Sequence, residues 1–353
     1  MIEKYYNGVI EQVAGGIGNV EHNSILVRYS NDFSIWDLES VNHYKDQTDI
    51  FFTCHEFSYN KIAEAYEPYL GLIRQMFHKY CSGTLEEFME ECDVYKLQRP
   101  VFESYFEKGF CERTEQILID EVEYEQERMR NSIVTMLQKL SEIRPVVIVL
   151  NRFQLASKST MQLSNSLLQV KNKNIGIVLG VNDVQSIPEF AHEEWDAICE
   201  SMDDRNMVYH IGNAGRNMEP DVMDYYSDYE SDDGYRKLNN LVYFLDFDQA
   251  DHHLSKIERR IKFDNFTISE KKHYQLLLLQ IMVSVLQRDI AKALESCEDL
   301  EKLQDQEKEG AFYYNFWMAT SYMYLGKLEE AMIYVQKAKE CGEALGDDFL
   351  VFR

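Results

Sequence analysis

The 353 residues predict an α/β domain followed by an all-helical repeat region. Three observations carry this. Short β-branched runs alternate with segments of helical period as far as about residue 213, strand signals stop from about residue 240, and small residues recur at helix-crossing offsets between Ala250 and Ala338.

The strand candidates are SILVRYS (24–30), TDIFFTCHEF (48–57), PVVIVLN (145–151), NIGIVLGVND (174–183) and MVYHIGN (207–213). Between them, FSIWDLESVNHY, KIAEAYEPYLGLIRQMFHKY (61–80), 85–92, 100–111, the long charged segment 112–143 and Lys158 to Val170 read as helices. Near-continuous apolar strands separated by helices imply a parallel sheet covered on both faces.

Composition narrows the function classes. The chain is 45% apolar and 13% aromatic, the mark of a globular protein. Its 61 acids against 36 Lys and Arg give a net charge of −25, a field that repels phosphate backbones and anionic headgroups alike. Direct nucleic-acid or membrane binding by this region is therefore not expected, and no apolar run reaches the ~20 residues that span a bilayer. Seven scattered cysteines without a C-x-x-C pair point to reduced thiols and a cytoplasmic setting.

In the second half, Ala319, Tyr322, Gly326, Ala331 and Ala338 fall at the offsets of a tetratricopeptide repeat. Ala293 repeats Ala331 at a separation of 38 residues, and FDQADHHLSKIERRI (247–261) echoes the half-pattern around Ala250. The aromatic run Phe312, Tyr313, Tyr314, Phe316, Trp317, Tyr322 and Tyr324 reads as repeat core. Stacked repeats need neighbours, so more repeats are expected beyond Arg353. The expected division is an α/β domain over 1–218, an acidic loop or junction over 219–238 with seven acids between Glu219 and Asp233, and repeats over 239–353.

Taken in order, VVIVLNRFQLASKSTMQLSNSLLQ, FFTCHEFSYNKIAEAYEPYLGLIRQMF with its Pro68-Tyr69 pair, and NIGIVLGVND resemble the STAND branch of the AAA-type P-loop ATPases. The likeness extends to bacterial signalling regulators in which such a module precedes tetratricopeptide repeats. It covers about 20–215, and no single motif is intact. On the family frame, Tyr29, Asp32 and Ser34 stand at phosphate-loop glycine positions, Ile35 at the lysine and Trp36 at the magnesium-binding hydroxyl. Asn151 replaces the magnesium-orienting acid, Arg152 the water-polarising residue, and Asn182 falls near the sensor position. A phosphate loop needs glycine N–H groups, a lysine and a hydroxyl, and every one of those requirements is missed here. Arginine stays protonated and cannot act as a base.

The resemblance thus implies a pseudo-ATPase without catalytic residues, cofactor or metal, serving sensing or dimerisation, with repeats that hold a protein or peptide partner. The alternative is a switch that still binds nucleotide without hydrolysing it, through Arg28, Arg152 and Asn182. It would control an output domain beyond the C-terminus, DNA-binding or cyclic-dinucleotide-synthesising. Convergence of Arg28 and Arg152 on a shaped cleft would mark the switch; a cleft filled by Trp36, Tyr29 and Phe153 would mark the scaffold.

Other candidates carry less. AGGIGNV (14–20) has G-x-G after a helix and before a strand, the wrong order for a dinucleotide fingerprint, and reads as a helix C-cap and turn. His252 and His253 point about 100° apart on a helix and read as surface residues. Cys54 and His55 face opposite sides of a strand, so they form no Cys/His pair.

Overall fold

The structure is a computed structural model. It describes the chain apart from residues 1, 21–22, 31–33, 46, 48, 59–60, 112–121, 171, 183–186, 204–206, 212–228, 230, 264–265 and 347–353. The chain divides after Asp246 into two compact units.

The first unit is α/β. Its strands are β1 (Ser24–Tyr29), β2 (Phe51–Glu56), β3 (Val146–Asn151), β4 (Ile175–Asn182) and β5 (Val208–Ile211). They form one five-stranded sheet in the order β2-β3-β4-β1-β5, with every pairing parallel. Its helices are α1 (Ile2–Gly16), α2 (Glu39–Lys45), α3 (Tyr69–Tyr80), α4 (Leu85–Glu91), α5 (Arg99–Lys108), α6 (Val122–Ile143), α7 (Lys158–Gln169), α8 (His192–Asp203) and α9 (Asp232–Tyr243).

Every residue of β3 and β4 is buried, as a parallel sheet covered on both faces requires. One face carries Ile25, Val27, Tyr29, Val147, Val149 and Val178 against Tyr6, Val9, Ile10 and Val13 of α1. The alternate row, Leu26, Ile148, Leu150, Ile177 and Leu179, is buried on the other side. At the centre, a Cβ on Gly180 would run into the Tyr6 hydroxyl and the Asn151 side-chain oxygen, so α1 approaches the sheet over a residue with no side chain.

Three local expectations change. The segment 61–80 becomes helical only from Tyr69. Pro68 has no N–H to donate and disfavours helical backbone in the residue before it, and Tyr66 sits at φ 55°. The segment after β1 is a 3-10 turn, Ile35–Asp37, followed by α2. The third change is the boundary: α9, read as part junction and part repeat, belongs to the first unit. Most of the acidic stretch 219–233 lies outside the described residues.

The second unit is helical: α10 (Phe247–Phe263), α11 (Glu270–Leu286), α12 (Ile290–Glu301), α13 (Gly310–Tyr324) and α14 (Leu328–Leu345). Each packs on the next. Phe312, Tyr313 and Trp317 are buried in one core with Tyr274, Ile281, Ala293, Cys297 and Ala338, and Tyr314, Phe316, Tyr322 and Tyr324 pack against it. His253 departs from the surface reading. It is buried with its ring hydrogen-bonded to Gln249 at 3.0 Å, because its helix face turns into the unit's core.

Three turns share one backbone design. Leu245, Arg288 and Gly326 adopt φ of 66°, 66° and 72°. The next residue in each case donates its N–H back across the turn: Asp246 to Leu241 O at 2.8 Å, Asp289 to Ser284 O at 2.8 Å and Lys327 to Tyr322 O at 3.0 Å. Two residues past each left-handed position stands an apolar residue, and three further on a buried alanine: Phe247 and Ala250, Ile290 and Ala293, Leu328 and Ala331. Such a left-handed residue closes a helix by satisfying its last carbonyls.

Gly180→Ala is expected to destabilise the first unit by about 1–3 kcal/mol through overpacking. Gly15→Ala, which meets open space, should lose nothing. Urea unfolding of both variants checks the pair.

Candidate functional site

In open α/β sheets, ligands bind outside the carboxyl ends of strands where neighbouring connections diverge. That point here lies between β1 and β4. The chain leaves β1 for the far edge at β2, while the connection from β4 passes to the other side, to β5. Tyr29, Asn182 and Asn151, at the carboxyl ends of β1, β4 and β3, and Arg152 just past β3 all come to this edge.

The chemistry at the edge centres on a residue that expectation passed over. Glu56 ends β2 directly beside Asn151 in the sheet register. Its Oε1 lies 2.9 Å from Arg152 Nη1, and both side chains are largely shielded from water. Its Oε2 accepts from Ser34 Oγ at 3.2 Å and from the Ile35 backbone N–H at 3.1 Å. An internal carboxylate is thus held by a guanidinium, a hydroxyl and a backbone amide of the turn that follows β1. Arg152 reaches it from a left-handed backbone conformation, φ 53°, immediately after β3.

Beneath this cluster the Tyr29 hydroxyl donates to Asn151 Oδ1 at 2.7 Å, with both residues fully enclosed. A buried polar group is stable only when so paired. Asn182 is buried, and its backbone N–H donates to Gln154 Oε1 at 3.2 Å. Burial first, and then the Glu56 charge, push the Tyr6 hydroxyl well above the ordinary tyrosine range, so it stays protonated.

The remaining positions diverge. Arg28 precedes Tyr29 on β1 and so faces the opposite side of the sheet, away from Arg152. Ile35 is buried core. Tyr29 and Phe153 fill space, whereas Trp36 stands 46% exposed with Lys45 Nζ 4.5 Å above its ring. Asp32 lies outside the described residues. Arg152 thus meets Glu56 rather than Arg28, and Trp36 stands outside the cluster.

On the other face of β2, the segment after the strand brings a pair of acids, Glu64 and Glu67, near His55. The Glu64 N–H donates to Glu67 Oε2 at 3.1 Å, and Glu67 Oε1 lies 3.5 Å from His55 Nε2. Asn240 of α9 donates to Glu64 Oε2 at 3.0 Å, and Ser157, the N-cap of α7, donates to the Glu64 carbonyl at 2.9 Å. Burial, reinforced by the Glu67 charge, raises Glu64 to about 7. Burial lowers His55 to about 4, so the imidazole is neutral at pH 7.

No family model matches the sequence, and no curated protein or solved structure matches it. Among the described residues no group of His, Cys, Asp or Glu is arranged to hold a metal ion, and no helix is long and apolar enough to cross a membrane. All seven cysteines are free.

Two predictions follow from these geometries. Removing Arg152 leaves the Glu56 carboxylate shielded and unpaired, so a double-mutant cycle of Arg152→Met and Glu56→Gln should give a coupling of about 1–3 kcal/mol in urea unfolding. For Glu64 the folded value is raised from 4.5 to about 7. Its stabilisation is therefore complete below the unfolded value and is lost as pH rises through the folded one. Relative to Glu64→Gln, wild type should lose up to about 3 kcal/mol between pH 4.5 and pH 8, read from unfolding curves across that range.

Proposed function

We propose that this chain is a non-catalytic regulatory scaffold, in which an α/β unit of P-loop ATPase type persists as architecture and the helical region holds a protein segment. The observation that carries the reading is the Glu56 carboxylate, bound by Arg152, Ser34 and the Ile35 amide. Those are the kinds of donor that would receive a phosphate, and they are already satisfied by an anion of the chain itself. A triphosphate at this edge would meet a fixed negative charge, with no phosphate-loop lysine to offset it. Asn151 in the place of the magnesium-orienting acid is consumed by Tyr29, which removes a further reason for a metal-nucleotide to bind.

For the helical region, the support is the shared turn at Leu245, Arg288 and Gly326, each followed by the same apolar-x-x-Ala spacing. That is the regularity a tetratricopeptide-like array needs, since each helical pair buries its face only against its neighbours.

Thermal unfolding with millimolar ATP, ADP or GTP and Mg²⁺ tests the reading. A ligand at a hundred times its dissociation constant would add about 2.7 kcal/mol. The midpoint is expected not to move. A rise of several degrees that disappears in Arg152→Ala would establish the nucleotide switch instead.

A further inference from the structure

Among the described residues β2 is an edge strand of the sheet, paired with β3 on one side only. Its residues are all partly exposed, whereas those of β3 are all buried. Bonds along a parallel pair alternate, so every second peptide group of an edge strand turns away from its neighbour. Phe51 donates its N–H to Pro145 O at 2.7 Å, and Phe57, just past the strand, donates to Asn151 O at 3.1 Å. The register between these bonds is unbroken, so Phe51, Thr53 and His55 turn their peptide groups to β3. Phe52, Cys54 and Glu56 turn theirs outward, and no described residue bonds to those groups. Exposed edges are ordinarily blunted by charge, proline, a bulge or shortness. β5, at the other edge, has only four residues. Phe51–His55 reads FFTCH, without proline, acid, lysine or arginine, and it carries no bulge.

We propose that the outer edge of β2 takes an extended segment of a partner protein as a further strand, one with apolar side chains in its middle and acidic residues at its ends. The backbone groups of Phe52, Cys54 and Glu56 supply the hydrogen bonds, as strand addition requires. Aromatic rings stand beside the edge on both faces. Tyr44 of α2 stacks on Phe52 with ring centroids 5.7 Å apart, and Tyr80 of α3 meets Phe51 edge-on at 6.1 Å. The acidic ends follow from local charge. Lys79 Nζ lies 5.9 Å from the Phe51 ring, Arg144 Nη1 lies 3.0 Å from the Tyr80 hydroxyl, and Lys45 follows Tyr44. Against these three cations stands Asp49, ahead of the strand. Exposed charges farther off than about 8 Å are largely screened at physiological ionic strength, so a short segment feels the near cations. A second copy would bring its whole net charge of −25 against another −25. The inference goes beyond the scaffold reading and does not rest on it, because the outer edge of β2 is the same whether or not a nucleotide binds.

The test uses the full chain and a defined probe, a fluorescein-labelled peptide of alternating valine and threonine with glutamates at both ends. Micromolar binding is expected in fluorescence anisotropy. Methylating the peptide's backbone nitrogens should weaken it by about tenfold or more, since the bonds to the strand edge are lost. Residue-resolved amide exchange should slow on binding at Phe52, Cys54 and Glu56 and stay unchanged at Thr53 and His55, which already face β3. Lys79 is exposed, so Lys79→Glu should leave the thermal midpoint where it is. The same variant should weaken the glutamate-flanked peptide and strengthen a lysine-flanked one, which separates lost docking from lost folding. Absence of binding overturns the proposal. Binding that ignores the methyl groups, or that slows no amide of Phe52, Cys54 or Glu56, also overturns it. Proline is tolerated in an edge strand where the N–H faces outward. A dimer in sedimentation velocity that Cys54→Pro dissolves would therefore assign the edge to a second copy and overturn the partner strand.

Discussion

The ion pair between Glu56 and Arg152 organises the carboxyl edge of the sheet in the α/β unit. One carboxylate draws together the end of β2, the residue just past β3 and the turn that follows β1. Each partner alone would be a liability: a shielded charge without its counterpart costs several kcal/mol. Together they satisfy one another at the carboxyl edge of the sheet.

The opposite face of β2 shows a related economy. Burial holds the half-buried His55 neutral, and burial raises the acids Glu64 and Glu67 beside it. Glu64 accepts from Asn240 of α9, while its carbonyl accepts from the cap of α7. The segment between β2 and α3 is thereby pinned to two helices at once, leaving the edge of the sheet held from both faces.

The strands were legible in the sequence because a parallel sheet buried on both faces leaves unbroken apolar runs, as in VVIVLN and IGIVLGVN. The helical turns were legible where Gly326 marked one. They were harder to see at Leu245 and Arg288, where ordinary residues take the left-handed conformation and only the apolar-x-x-Ala spacing that follows marks the turn. At the site, the family frame pointed to Tyr29 on its phosphate loop and to Asn151 and Arg152 on its later strand but passed over Glu56. Strand pairing, which no local pattern reports, is what sets Glu56 beside Asn151. The available signal was an acid at the end of a buried strand, in need of a cation, with Arg152 one step beyond the end of another. Likewise His253 was read as exposed because helical period alone does not say which face meets a neighbour.

The most direct test of the central claim asks whether the place held by Glu56 is an oxyanion seat. Glu56→Ala should destabilise the chain, and sodium formate should restore part of that loss relative to sodium chloride at equal ionic strength, with no such effect on wild type. That result would identify the Glu56 carboxylate as the anion that fills the seat. A variant as stable as wild type, or formate acting equally on both proteins, would contradict the account.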